Sequence, residues 1–193
     1  LHMDTLLPRL KDLVEWKNLT LQKVYGADPI DFENLRLWLE ENFAPVKDFV
    51  CDTSQYLDQA AKNGRNILFE AQLGALRDID FGIYPYTSSS STIAAYAPVG
   101  AGVPNHRLDH VIGIVKAYSS CVGEGPFTCE MFGADAEELR KAGGEYGAAT
   151  GRPRRVGGFD AVASRYGTRI QGATSLALTK LDILSYMEEI PVC

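Results

Sequence analysis

Two short apolar runs, Val111-Ile112-Gly113-Ile114-Val115-Lys116-Ala117-Tyr118 and Ser175-Leu176-Ala177-Leu178-Thr179, flank a stretch of helical periodicity. That alternation constrains the fold more than any other feature. Each run reads as a strand, the second as a buried one. Between them Phe159, Val162, Ala163, Tyr166 and Ile170 form one apolar stripe, which predicts a helix over residues 159–171. Short strands alternating with helices predict an α/β fold, with a mixed or mostly parallel sheet flanked by helices.

The same reasoning extends along the chain. Residues 4–21 carry Leu6, Leu10, Leu13 and Val14 at helical spacing, with Asp4 placed as N-cap. Asp31 to Asp48 predicts a second helix with Leu35, Trp38, Leu39 and Phe43 on one face, kinked or restarted at Pro45. A third opens at Thr53 and stops at Asn63-Gly64, where Gly64 suits the position after the last turn. Asn66-Ile67-Leu68-Phe69-Glu70 reads as a short buried strand, and Asp135 to Ala142 as a short helix. From Ala71 to Arg107 the periodicity vanishes, over a length that predicts function or disorder rather than an idle connection.

Composition sets bounds. The 193 residues are 46% hydrophobic, enough for one sizeable core, and a net charge of −6 argues against a general nucleic-acid or membrane-surface binder. No apolar run approaches the roughly 20 residues of a membrane span, and no secretory signal is visible. Cys51, Cys121, Cys129 and Cys193 lack metal-ligand spacing and read as reduced thiols of a cytoplasmic protein. His106 and His110 read as surface residues, and no GxxxxGK[ST] or GxGxxG occurs. The start at Leu1 and the stop at IPVC suggest a piece of a longer polypeptide.

Three segments have the residue types for ligand chemistry. In GEYGAATGRPRRVGGFD, residues 144–160, three arginines fall within four positions beside glycines. Arg152, Arg154 and Arg155 offer planar forks for carboxylate or phosphate oxygens, either as a mobile anion-binding lid or as a solvated loop pairing with surface acids. Thr179-Lys180-Leu181-Asp182 follows a predicted strand, where α/β proteins gather ligands. An Asp182 carboxylate matches the adjacent N1–H and N2–H donors of guanine and would be left unpaired by adenine; alternatively it caps a helix over residues 183–187. In FEAQLGALRDIDFGIYPYTSSSST, residues 69–92, six hydroxyls either offer donors to a phosphate or bond their own turn. Gln72 could meet a polar ligand group, Asp78 and Asp80 could brace the loop, and Glu124 in VGEGPF reads as a turn residue.

FEAQLGALRDIDFGIYPY, GIVKAYSSCVGEGPF, GAATGRPRR and SLALTKLD, in this order, resemble adenylosuccinate synthetases from about Asn66 to the C-terminus. The resemblance implies a P-loop-NTPase-related architecture missing its N-terminal phosphate loop. It also implies a ligase that joins IMP and L-aspartate with GTP hydrolysis and Mg²⁺, as a cytoplasmic homodimer with no nucleic-acid or membrane partner. By resemblance Ala148, Ala149, Thr150, Gly151, Arg152, Pro153 and Arg154 form the loop that closes on aspartate. Gln72, Leu73, Ser88 and Arg152 fall at the IMP site, and Arg154, Lys180, Leu181 and Asp182 at the GTP site.

The sequence departs from the family pattern. Leu73 stands in the column of an IMP-contacting glutamine, with Gln72 one position earlier, and Ala149 replaces a threonine. The GDEGKGK-type loop and the catalytic base and histidine associated with it do not occur, so no catalytic or metal-binding residue is assigned. The expectation is a helical part, residues 1–65, on a nucleotide- and aspartate-binding core, residues 66–193, inactive alone. The alternative is a non-catalytic purine-nucleotide-binding or regulatory module. On either reading, a cationic flap and an acidic reader behind a strand end are expected to share one cleft.

Overall fold

The computed structural model describes residues 2–193, which divide into two compact units, Leu1–Tyr56 and Leu57–Cys193. In the first, α1 (Met3–Thr20) runs into a π turn over Leu21–Tyr25 and stops at Gly26, whose φ of 62° a side chain would strain. Asp4 does not cap α1. His2 holds that position without a side-chain bond, and Asp4 lies inside the first turn, where its charge favours the helix dipole instead. α2 (Phe32–Phe43) is capped by Asp31, whose side chain accepts from the Asn34 N–H at 2.7 Å. Pro45 then restarts the chain as a 3₁₀ segment, Ala44–Phe49. Asn18 of α1 bonds the backbone of Ile30 in both directions, at 2.9 and 2.7 Å, pinning the segment that leads to α2.

α3 (Thr53–Lys62) ends as the sequence predicts. Gly64 takes a φ of 69°, and the N–H groups of Gly64 and Arg65 return to Ala61 and Ala60. The predicted strand at residues 66–70 does not form. Its residues alternate between half-buried and exposed, but among the described residues no neighbour pairs with them, and Leu68 is 91% exposed. Alternation alone does not make a strand; a ladder partner does.

The segment from Ala71 to Arg107 is built from short turns and one four-residue helix, α4 (Ala97–Gly100). Its organiser is Asp78, fully buried, which accepts from the N–H groups of Asp80, Phe81 and Thr92 at 2.9, 2.9 and 2.7 Å. Burial pushes this carboxyl up, yet the N–H donors and the Thr92 hydroxyl together outweigh it and hold the group below the usual range. Gln171 clamps the same segment, donating to the Thr92 carbonyl and accepting from the Ala94 N–H.

β1 (Ile112–Lys116) pairs in parallel with β4 (Ser175–Thr179), and β2 (Ser119–Cys121) pairs antiparallel with β3 (Arg155–Gly157). α5 (Gly133–Gly143) precedes β3, and α6 (Ala161–Gln171), capped by Asp160, leads into β4. β4 keeps its predicted limits but is not buried: Leu178 on β4 and Ile114 on β1 are 54% and 71% exposed. Parallel strands are ordinarily covered on both faces. The buried core lies instead around α5, formed by Ala117, Tyr118, Ala136, Leu139, Val156 and Leu184, with Met131, Ile183 and Met187 packed against it. Among the described residues no helix is long and apolar enough to cross a membrane.

Candidate functional site

The arginine segment is a hairpin. The Gly147 N–H donates to the Arg152 carbonyl at 2.8 Å, the Arg154 N–H to the Glu145 carbonyl at 2.9 Å, and Tyr146 bridges Pro153. Its tip, Ala148, Ala149, Thr150 and Gly151, is exposed, and Gly151 makes the turn at a φ of 65°. A Cβ at Gly147 would sit 3.0 Å from the exposed Thr150 hydroxyl, a tight contact that rotation of the threonine relieves.

The three arginines have different surroundings. Arg155 is spent on structure: its Nε and Nη2 fork the Glu130 carboxylate, and its Nη1 donates to the carbonyls of Gly123 and Gly125. Of the two readings of the cluster, Arg155 follows the second, pairing with an acid. Arg154 gives one nitrogen to Glu145, Nη1 to Oε2 at 3.1 Å, while its Nε is enclosed and has no partner. The Arg152 guanidinium has no partner among the described residues and stands exposed.

Glu145 is the residue the sequence reading missed. It is 2% exposed, and its Oε1 accepts from Lys116 Nζ at 2.6 Å and from the Tyr118 hydroxyl at 2.5 Å. Burial pushes its carboxyl up, but Lys116, Tyr118 and Arg154 together hold it below the usual range. Burial, then the bond and charge of Glu145, drive the Tyr118 phenol far above its ordinary value, and the charge of Asp182 adds to this. The available signal was a lone acid among small residues at the foot of the arginine cluster; its partners, Tyr118 just after β1 and Lys116 at its end, lie 27 and 29 positions away.

The strand end meets this hub. Lys180, directly after β4, has a φ of 62°, and its Nζ donates to the Gly143 carbonyl at the end of α5, at 3.0 Å. Asp182 opens a 3₁₀ turn, Asp182–Leu184, and its exposed carboxylate accepts no hydrogen bond among the described residues. It is therefore not spent on capping. Leu181 beside it is half exposed. Lys180, Gly143, Glu145 and Arg154 thus form one linked path from strand end to hairpin.

Gln72, Leu73 and Ser88 lie on the irregular segment. Gln72 and Leu73 are exposed, and Leu73 shares with Lys180 the distinction of being a non-glycine residue at positive φ, 75°. Such strain costs roughly 1–3 kcal/mol per residue and concentrates at functional positions. Part of the hydroxyl set bonds its own chain: the Ser88 Oγ accepts from the Ser90 N–H, and the Thr92 Oγ1 donates to the Gly74 carbonyl. Asp78 braces the loop as expected, whereas Asp80 contributes only its backbone N–H to that brace. No hydrogen bond joins these residues directly to the hairpin among the described residues. The link runs through Arg77, which donates to the Glu124 carbonyl, and Arg155, which holds Gly123 and Gly125 on either side of it.

An apolar crevice too narrow to admit water belongs to the core around Leu139 and Leu184, and an open space of about 430 Å³ lies in the first unit near Glu40 and Phe43. Neither is lined by Arg152, Arg154, Lys180 or Asp182. The shared cleft expected between the arginine flap and Asp182 is therefore not formed by either space; the strand end is tied to the hairpin by the Lys180–Gly143 bond and the Glu145–Arg154 pair instead.

A parallel strand pair with its helical crossover defines an α/β protein, a class in which ligands ordinarily gather where strands finish. The adenylosuccinate synthetase family profile matches residues 1–193. The chain is 45% identical over 185 residues to the adenylosuccinate synthetase of Geotalea uraniireducens, spanning 96% of this chain and 43% of that protein. It is 44% identical over 192 residues to that of Limosilactobacillus fermentum, spanning 100% and 45%. The structure of fully ligated adenylosuccinate synthetase from Plasmodium falciparum superposes with a TM-score of 0.87 at 32% identity, over 100% of this chain and 44% of that one. A cyanophage S-2L succinoaminodeoxyadenylate synthetase shares the fold at a TM-score of 0.53 and 22% identity, over 69% of this chain and 42% of that one. This chain belongs to the adenylosuccinate synthetase family and spans less than half the length of the relatives it matches.

Proposed function

We propose that this chain supplies the aspartate, IMP and guanine contacts of a ligase that joins IMP to L-aspartate with GTP hydrolysis. The observation that carries the reading is the Lys180-to-Gly143 bond, which ties the strand end to the root of the arginine hairpin. Asp182, unpaired and exposed, is suited to accept the N1–H and N2–H of guanine. The Arg154 guanidinium, fixed at one nitrogen, reaches the nucleotide's anionic part, and the exposed Arg152 closes with the tip, residues 148–151, on the carboxylates of aspartate. Gln72, Leu73 and Ser88 lie toward IMP.

The reaction in this family reading uses Mg²⁺. Among the described residues no three His, Cys, Asp or Glu side chains lie together to hold such an ion, so no step is assigned to it on this chain. On the family resemblance we further propose that the phosphate-binding and catalytic groups lie on other parts of the parent ligase, that this chain is inactive alone, and that the working enzyme is a cytoplasmic homodimer.

Calorimetric titration of the chain with GTP and with ATP tests the reading. Binding of GTP at least tenfold tighter than ATP supports it, because adenine leaves the Asp182 carboxylate unpaired. Equal affinity for the two, or no binding of either, contradicts it.

A further inference from the structure

We infer that Glu145 is a positioning residue: it holds the Arg154 guanidinium by one nitrogen and leaves its other edge for an anionic ligand. The inference rests on the reading of Arg154 given above and extends it to a residue that touches no ligand itself.

The geometry carries the argument. Glu145 is 2% exposed, so its carboxylate cannot be a surface charge that pairs by chance. Its two oxygens divide the work. Oε1 is anchored by Lys116 of β1 and by Tyr118, while Oε2 receives Arg154 Nη1 alone. Its backbone carbonyl accepts the Arg154 N–H, so the same residue fixes both the main chain and the side chain of the arginine. A guanidinium is planar, and holding Nη1 while the backbone is fixed leaves little freedom at the opposite edge.

That opposite edge is unsatisfied. Arg154 Nε is enclosed and has no hydrogen-bond partner, an unfavourable state for a buried donor of a charged group. A buried carboxylate flanked by Lys116 and Arg154 also leaves one positive charge in excess at the hub. The enclosed Nε is itself covered, but the side chain as a whole is 32% exposed, so an anionic oxygen can meet the guanidinium at its uncovered part, with Glu145 setting the angle of approach. Arg155 offers the contrast: Glu130 takes its Nε and Nη2 together, closing that edge.

The test is a double-mutant cycle in the 193-residue chain with GTP as probe. Arg154→Gln and Glu145→Gln are each expected to weaken GTP binding at least tenfold, and the double variant to be within twofold of Arg154→Gln. Tyr118→Phe removes an uncharged donor to Glu145, leaves the arginine pair in place, and is expected to weaken binding less than threefold. If Glu145→Gln costs as much in the Arg154→Gln background as in the wild type, its role is general stability and the inference fails. If Arg154→Gln binds GTP normally, or the wild-type chain does not bind it, the reading of Arg154 fails instead.

Amide hydrogen exchange without nucleotide then decides the positioning role by itself. Glu145→Gln should speed exchange at Gly147, Gly151 and Arg154 severalfold while α5 keeps its protection. Unchanged exchange in the hairpin overturns the inference. Should Glu145→Gln fail to fold, Glu145→Asp, which keeps the charge but shortens the reach by one methylene, is read in the same way.

Discussion

Lys180 donates its ammonium to the Gly143 carbonyl at 3.0 Å, so the residue after β4 caps the C-terminal end of α5. It does so from a φ of 62°, in the left-handed region that costs a side-chain-bearing residue about 1–2 kcal/mol. Strain and bond oppose each other at this one position.

That opposition predicts a specific pair of results. Lys180→Met loses the bond and keeps the strain, and should lower stability by about 1 kcal/mol. Lys180→Gly loses the bond and relieves the strain, and should fall within about 0.5 kcal/mol of the wild type. Urea denaturation of the two variants measures the difference directly.

Asp78 sets the acid limb of stability. Burial raises its carboxyl but the surrounding donors lower it further, so the folded value lies below the unfolded one. Its contribution is therefore complete above roughly pH 4 and is lost as pH falls through the lower folded value. Asp78→Ala should cost about 3 kcal/mol at neutral pH, since three N–H donors lose their acceptor, and should flatten the acid dependence. Thermal melts from pH 3 to pH 7 check both effects.

Gly157 on β3 leaves no space for a side chain. A Cβ there would meet the Cys129 carbonyl oxygen at 2.0 Å, a backbone atom that cannot swing aside. Gly157→Ala should cost on the order of 1–3 kcal/mol and loosen the β2–β3 pair. Amide exchange at Ser120 and Val156 reports on it.

Much of this was legible in the chain itself. Gly64 closes α3 by local chemistry, and local chemistry is written in consecutive residues. Asp182 was readable as a carboxylate behind a strand because its surroundings are also local. What was not legible depends on distant partners. Residues 66–70 have the pattern of a strand but no ladder partner among the described residues, and Leu176 and Leu178 have the composition of a buried strand but stand more than half exposed. Arg155 looked like a ligand fork because Glu130, which fills it, lies 25 positions earlier. Glu145 escaped notice for the same reason: a residue becomes a hub through whatever the fold brings to it.

The most direct test of the account is a specificity swap at Asp182. Replacing the carboxylate by an amide in Asp182→Asn exchanges one acceptor for a donor, which suits the N1–H and C2 carbonyl of xanthine rather than the two donors of guanine. Titration of the wild-type chain and the variant with GTP and xanthosine triphosphate should show GTP affinity falling at least tenfold and xanthosine triphosphate affinity rising. Unchanged GTP affinity in the variant would contradict the assignment of the strand end as the guanine reader.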